Sequence, residues 1–299
     1  GAIFQQPGSF ASNFETHFAK YVSAAVQGVN YSCFNFGAKN SGRTFAFEGN
    51  LSESGLYSLF ADKLFLELES KRAGLLEEMS NQARLNQTQV YDVSFNYKVR
   101  MKFIEIRDEG INDLLQNFNY YKQPVQLMYT DTEGYAVTGS AWVEISNTDA
   151  FVDCMQSAFK YRTTYDNGRV NKSTTVLTLE INQLFEARST NETKFVTSRI
   201  TFFDLPSADI LSEHFRSASN TNEFKCMYSI HNMITELAKS HNNVLPTVYE
   251  NSVITKLMKE LVGGNGLCSA VVTLAHSNFF ISNIVFKVMK LISNIQSYP

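Results

Sequence analysis

The alternation of two residue patterns restricts the fold of this chain more than any other feature. Short runs rich in β-branched and aromatic residues alternate with longer runs of helical periodicity, which is typical of a sheet covered by helices on both faces. The strand candidates are Tyr31–Phe36, Val99–Ile106, Ala136–Glu144, Thr174–Asn182, Ser198–Asp204 and Cys268–Ala275. The helix candidates are Phe14–Gln27, Leu56–Ser70, Thr148–Tyr161, Phe224–His241, Ser252–Val262 and Ser277–Ile295. We therefore predict an α/β fold with a central β-sheet that is flanked by helices on both faces.

Composition excludes several classes of function. A chain of 299 residues can form one large core, so we predict a single domain over residues 1–299. No run approaches the roughly 18 consecutive apolar residues of a membrane span, so we expect no membrane partner and an intracellular location. A formal net charge of −3 disfavours nucleic acid as a partner. The four cysteines stand singly and the histidines are dispersed, so we predict free thiols and no metal site.

The segment after the first predicted strand has the spacing of a phosphate-binding loop. Tyr31–Phe36 runs into Gly37-Ala-Lys-Asn-Ser-Gly42-Arg43-Thr44, which matches G-x-x-x-x-G-K-[ST] except that arginine stands in place of lysine. In an intact loop, backbone N–H groups surround the phosphates, the lysine reaches them, and the hydroxyl holds Mg²⁺. Taken alone, this spacing fits a plain turn equally well.

Five further segments, in order, resemble the kinesin motor domain. Phe103-Ile-Glu-Ile-Arg-Asp-Glu109 with Asp113-Leu-Leu115 is similar to F-x-E-I-Y-N-E-x-x-x-D-L-L, and Trp142–Ser146 resembles the strand and turn that follow. Ser198–Leu205 resembles the strand of the second switch, and Tyr249–Leu257 with Leu261–Asn265 is similar to Y-R-x-S-K-L-T-x-L-L and L-G-G-N. Asn283–Ile295 looks like the last kinesin helix. The resemblance covers the chain from about Phe14 to Ile295.

The resemblance implies a kinesin-like motor fold with about eight strands. Tyr31–Phe36, Val99–Ile106 and Ser198–Asp204 should be inner strands, because their continuous apolar character suits strands covered on both sides. Ser198–Asp204 should also lie beside Gly37–Thr44. The family's first strand, with its adenine-contacting R-x-R-P segment, has no counterpart before Phe14.

Against the family pattern, the ATP site is degenerate in three elements. In the phosphate loop Gly37, Gly42 and Thr44 match, but Asn40 replaces a glycine and Arg43 replaces the lysine. The first-switch N-x-x-S-S-R-S-H is replaced by Asn171-Lys-Ser-Thr-Thr175. The second-switch D-L-A-G-S-E is replaced by Asp204-Leu-Pro-Ser207-Ala-Asp209. We therefore expect these residues to be relics of the fold, with no catalytic residue, no bound nucleotide cofactor and no enzymatic activity.

The resemblance also implies a microtubule-binding face. Glu250 and Val253 replace the family's arginine and lysine there, which weakens the contact expected with acidic tubulin. The cations left on or near this face are Lys225, Lys239, Lys256 and Lys259. Lysines on a helix face often serve only solvation, so this assignment rests on the resemblance.

Three functional hypotheses follow. The first is a non-catalytic motor-homology domain, similar to the yeast subunits that pair through a coiled coil with a catalytic kinesin heavy chain and bind microtubules without nucleotide. The second is a divergent protein-binding scaffold with little tubulin affinity, and the third is a slow residual ATPase. The implied location is the cytoplasm and cytoskeleton, with the spindle or spindle pole left open. The coiled coil would lie outside this chain.

Overall fold

The computed structural model describes residues 9–85, 93–118, 124–131, 134–162, 173–187, 191–211, 222–239, 246–259, 261–264, 266–274 and 279–295. The helices are α1 Ser9–His17, α2 Ala19–Val26, α3 Arg43–Glu48, α4 Leu56–Leu85, α5 Thr148–Phe159, α6 Asn222–Lys239, α7 Val253–Met258 and α8 Phe279–Ile292, with 3-10 turns at Gln116–Phe118 and Pro246–Tyr249. The strands are β1 Tyr31–Gly37, β2 Val93–Arg107, β3 Gly110–Asp113, β4 Gln126–Thr130, β5 Gly134–Thr138, β6 Val143–Ile145, β7 Thr174–Ala187, β8 Glu192–Asp204 and β9 Leu267–Thr273.

A seven-stranded mixed sheet forms the centre of the molecule. Its order is β3-β2-β7-β8-β1-β9, and β6 pairs with β2 beside this path. Strand β1 runs parallel to both β8 and β9, whereas the other pairings are antiparallel. The predicted α/β class and the strand number of about eight are confirmed, and the three predicted inner strands each have a neighbour on both sides.

Helices cover both faces of this sheet and create two apolar layers. One layer contains α1, α2, α4 and α5, where Tyr31 stacks on Tyr21 at 4.5 Å between ring centroids and on Phe60 at 5.3 Å. The other contains α6, α7 and α8, which pack on residues such as Phe34 and Phe203. All seven residues of β1 are buried, as expected for a strand with helices on both sides.

The predicted strand Ala136–Glu144 is wrong. The structure divides this segment between β5, which pairs with β4 in a separate two-stranded sheet, and β6, which pairs with β2. The division occurs at Gly139, whose φ is +77° and where a Cβ would lie 2.2 Å from the carbonyl oxygen of Pro124. Only glycine adopts such a position without strain.

Several predicted helix boundaries also differ from the structure. Phe14–Gln27 is two helices, α1 and α2, which are separated at Phe18. The predicted Leu56–Ser70 continues to Leu85, and the predicted Ser252–Val262 ends at Met258. Strands β2, β7 and β8 are also longer than predicted, because they extend beyond the buried part of the sheet into a more exposed section.

The described residues contain no helix that is both long and apolar enough to cross a membrane. All four cysteines are free thiols, with Cys33 and Cys154 buried and the other two partly buried. No group of three or more His, Cys, Asp or Glu side chains in the described ranges could hold a metal ion.

Candidate functional site

The loop between β1 and α3 is packed tightly against the end of β9. A Cβ on Gly37 would lie 2.1 Å from the Thr273 hydroxyl, and that hydroxyl is 2.6 Å from Ser41 Oγ. Glycine is therefore required at position 37 by close approach. Asn40 has a φ of +58° and Gly42 a φ of +91°. Asparagine tolerates this left-handed region better than most residues, so Asn40 retains the backbone shape that a glycine would give.

Arg43 does not extend into solvent as a free cation. Its side chain is buried, and Nη1 donates to the carbonyl oxygen of Leu205. Burial lowers the pKa of Arg43, and the carboxylates of Asp204 and Asp209 offset only part of this effect. The neighbouring Thr44 is exposed. The cation at the lysine position is thus hydrogen-bonded to the protein's own backbone.

Asp204 lies at the end of β8, within an ion-pair network. Asn35 on β1 donates to its Oδ1 at 2.5 Å and accepts from the Leu205 N–H at 2.8 Å. Arg162, which follows α5, bridges Asp204 Oδ2 at 3.1 Å and Glu48 Oε1 at 2.9 Å. Burial raises the pKa of Glu48 to about 7, despite the opposing effect of Arg162. Asp204 is therefore held by specific partners from two other elements.

The segment after Asp204 is bonded directly to the loop. Asp209 Oδ2 accepts from the Lys39 backbone N–H at 2.6 Å and from Ser207 Oγ at 2.6 Å. The Ala208 N–H donates to the Gly37 carbonyl at 2.9 Å. A backbone N–H of the phosphate-type loop thus already has an anionic acceptor from the same chain.

The structure brings the predicted residues Gly37, Asn40, Gly42, Arg43, Thr44, Asp204 and Ser207 together around this loop. The predicted first-switch residues Asn171 and Lys172 lie outside the described residues. Ser173, in the same predicted segment, is buried and donates to Glu105 Oε1 at 2.7 Å. This hydrogen bond therefore connects the residue before β7 to β2.

The sequence did not predict roles for Arg162, Glu48 and Asn35 in this site. Arg162 is 114 residues from Glu48 and 42 residues from Asp204, so no local spacing connects them. For Asn35 a signal did exist, because a polar residue inside the apolar run Tyr31–Phe36 needs a hydrogen-bond partner when buried.

The four predicted tubulin-face lysines do not form one cluster. Lys256 and Lys259 lie together, with Nζ atoms 5.6 Å and 5.8 Å from the Tyr135 ring centroid on the β4–β5 hairpin. Lys225 and Lys239 are exposed near opposite ends of α6, and Lys239 pairs with Glu236 at 3.0 Å.

Two substituted positions of this face have partners of their own. Glu250 accepts from the Tyr135 hydroxyl at 2.7 Å and lies 3.7 Å from Lys256 Nζ. The Val253 N–H donates to Glu109 Oε2 at 2.6 Å. Glu250 therefore partly neutralises the pair formed by Lys256 and Lys259.

Comparison with known proteins gives consistent results. A family model described as "Kinesin motor domain" matches residues 1–284. The kinesin-like protein KIN-8B of Arabidopsis thaliana is 23% identical over 279 residues, covering 90% of this chain and 31% of that protein. KIF14 of Mus musculus is 25% identical over 278 residues, covering 88% of this chain and 15% of that protein. The chain thus spans less than a third of the length of either relative.

A solved structure of KIF14 has the same fold. It is described as a dimer in a two-heads-bound state, with AMP-PNP, in complex with a microtubule. The TM-score is 0.74 at 24% identity, and the match covers 96% of this chain and 77% of that chain. Because the family model matches residues 1–284, and the fold agrees with it, the chain belongs to the kinesin motor domain family.

Proposed function

We propose that this kinesin motor domain binds microtubules independently of nucleotide, does not turn over ATP, and acts as the non-catalytic partner of a catalytic kinesin. The proposal rests on hydrogen bonds within the chain that already engage donors of the phosphate-type loop. Asp209 holds the Lys39 N–H, and Arg43 is bonded to the Leu205 carbonyl. The Lys39 N–H would have to exchange this partner before it could meet a phosphate, and one of the Arg43 N–H groups is occupied in the same way.

Lack of turnover follows from how phosphoryl transfer is catalysed. The reaction depends on positioned donors and cations that stabilise charge on the transferred group. Here the Asp209 carboxylate accepts a hydrogen bond from the Lys39 N–H of the loop, and its negative charge would repel phosphate. Pro206 has no N–H to donate in the following segment. Because these features act together, restoring a single residue would not rebuild the site.

Support for microtubule binding comes from the hairpin surface and from the relatives. KIF14 has been solved in complex with a microtubule, and its fold matches this chain. Lys256 and Lys259 here stand beside the aromatic rings of Tyr129 and Tyr135. Adjacent cations and aromatic side chains suit an acidic protein surface.

The partnership with a catalytic kinesin rests on resemblance to yeast motor-homology subunits. Such a pairing would supply the ATP-driven step that this domain lacks, and it would take place through a coiled coil outside this chain. The cytoskeleton, and the spindle or spindle pole, would be its location.

One observation favours the scaffold alternative. Glu250 faces Lys256 across 3.7 Å, so the local positive charge available to tubulin is reduced. If tubulin affinity is negligible, the same fold would present a face to another protein.

The test of the proposal is a titration with a fluorescent ATP or ADP analogue in the presence of Mg²⁺, followed by a phosphate-release assay with microtubules. We expect no saturable binding at micromolar concentration and no release above the rate of a protein-free control. Saturable Mg²⁺-dependent binding with microtubule-stimulated release would contradict it and favour the residual ATPase.

A further inference from the structure

A cleft of about 460 Å³ lies between β2, β7 and β8 on one side and the β5 segment on the other. Its volume lies in the range of small-molecule sites. We propose that this cleft binds a small amphipathic carboxylate, with the apolar body inside and the anionic group at the cationic end. The cleft shares Tyr135 with the hairpin surface, but the proposal does not depend on the proposed function.

The outer end of the cleft is positively charged. Arg100, Glu180 and Arg199 are register partners across three adjacent strands, and the carboxylate of Glu180 lies between the two guanidinium groups. Burial alone raises the pKa of Glu180, but hydrogen bonds from Arg100, Asn182 and Arg199 outweigh it and lower the pKa. Lys102, which follows Arg100 on the same face of β2, also lines the cleft. The cleft is therefore lined by three cations and one carboxylate. The side chains of Arg100 and Arg199 remain 42% and 32% exposed. This end therefore favours an anion.

The inner end is apolar. Ile104, Val176 and Phe203 are register partners on the same three strands, and each is at most 5% exposed. Leu257 and Leu261 also line the cleft. An apolar chain placed here would be removed from water, which is the main favourable term in binding such ligands.

An aromatic ring flanks the cationic end. The Trp142 ring lies 4.4 Å from Lys102 Nζ and 5.2 Å from Arg100 Cζ, measured to the ring centroid. Lys102 Nζ also donates to the Val137 carbonyl at 2.7 Å, which fixes its position at the cleft wall. A carboxylate bound to these cations would lie beside the indole. Because Trp142 is the single tryptophan of the chain, its fluorescence reports on the cleft alone.

The experiment titrates the whole chain with decanoate and, separately, with decanol, following Trp142 fluorescence and the heat of binding by calorimetry. Decanoate should give a saturable change below about 1 mM. Decanol, with an equally long chain and no charge, should bind about tenfold more weakly, because hydrogen bonds to charged groups are the stronger class.

Three variants locate the site. Lys102→Met keeps the apolar stem and should weaken decanoate about tenfold while changing decanol little. Thr178→Phe fills the floor between the two ends and should abolish binding of both. Lys20→Met, at an exposed position of α2, is the matched control and should bind like the parent chain. Circular dichroism and thermal unfolding establish that each variant is folded.

The proposal is overturned if neither fluorescence nor calorimetry shows saturable decanoate binding. It is equally overturned if decanol binds as tightly as decanoate. Decanoate affinity that stays unchanged in both folded variants, Lys102→Met and Thr178→Phe, would place the ligand elsewhere and likewise reject this cleft.

Discussion

At the residue scale, a single arginine links acidic groups from two separate elements. Arg162 contacts Glu48 at the end of α3 and Asp204 at the end of β8. Breaking a buried ion pair by removing one partner is costly, because the other charge remains buried. The sequence predicted the position of Asp204 but not its partners, because the contacts join residues far apart in the chain.

Glu48 should make stability depend on pH. Its pKa is about 7 in the folded chain against an ordinary value of 4.5, so the folded state binds the proton more tightly than the unfolded state does. The free energy of unfolding therefore falls as pH rises from about 4.5 to 7, by up to about 3 kcal/mol from this group. Glu48→Gln removes the titration, so its stability relative to the parent chain should increase between pH 5 and pH 8.

Chemical denaturation at pH 5, 6, 7 and 8 measures this difference. Glu192→Gln, at an exposed strand position, is the matched control and should follow the parent chain at every pH. Parallel curves for Glu48→Gln and the parent chain would show that Glu48 does not titrate as described.

Arg43→Lys restores the family's phosphate-loop lysine, yet it should not restore nucleotide binding. The Lys39 N–H would still be held by Asp209, and the second-switch glycine would still be missing. We expect the variant to show no saturable binding of a fluorescent Mg–ADP analogue at micromolar concentration. Micromolar binding by Arg43→Lys alone would mean that the arginine is the main defect and that the Asp209 contact exchanges readily for phosphate.

At the element scale, the β4–β5 hairpin and α7 form one surface. Tyr135 on the hairpin contacts Glu250 before α7 and the lysines on and just after that helix. The sequence predicted a single strand over Ala136–Glu144 and therefore could not place the hairpin beside α7. The strand is interrupted at Gly139, which has a positive φ. The β-propensity of the sequence gives no information about this backbone conformation.

Replacing Lys256 and Lys259 together by alanine should weaken microtubule binding. Each exposed pair contributes about 0.2–1 kcal/mol, so we expect the double variant to bind about two- to thirtyfold more weakly. Cosedimentation measures the change. Lys20→Ala with Lys160→Ala, two exposed lysines on the opposite helical layer, is the control and should bind like the parent chain.

Glu250→Arg with Val253→Lys should tighten microtubule binding, because it removes the carboxylate that faces Lys256 and restores the family's charges. The gain should shrink as salt is raised, since the Debye length falls from about 10 Å at 0.1 M to about 3 Å at 1 M. If neither this variant nor the double alanine variant changes cosedimentation, the scaffold hypothesis becomes the better account.

At the scale of the whole molecule, the sequence predicted the fold well because ordered motifs along the chain agree with one family. The inner strands, the helices on both faces and the closeness of Ser198–Asp204 to Gly37–Thr44 are all present. The domain limits at residues 1–299 stay a prediction, as does the missing first strand, because residues 1–8 lie outside the described residues. The cleft beside Trp142 was not predictable, because it depends on the register of three strands.

We expect microtubule binding by this domain to be independent of nucleotide. Cosedimentation of the whole chain over a range of microtubule concentrations, with ATP, with ADP and with neither, tests it most directly. We predict one dissociation constant in all three conditions, because a ligand that does not bind cannot shift a conformational equilibrium. An affinity that differs between ATP and ADP would mean that this site still binds nucleotide and changes the tubulin face.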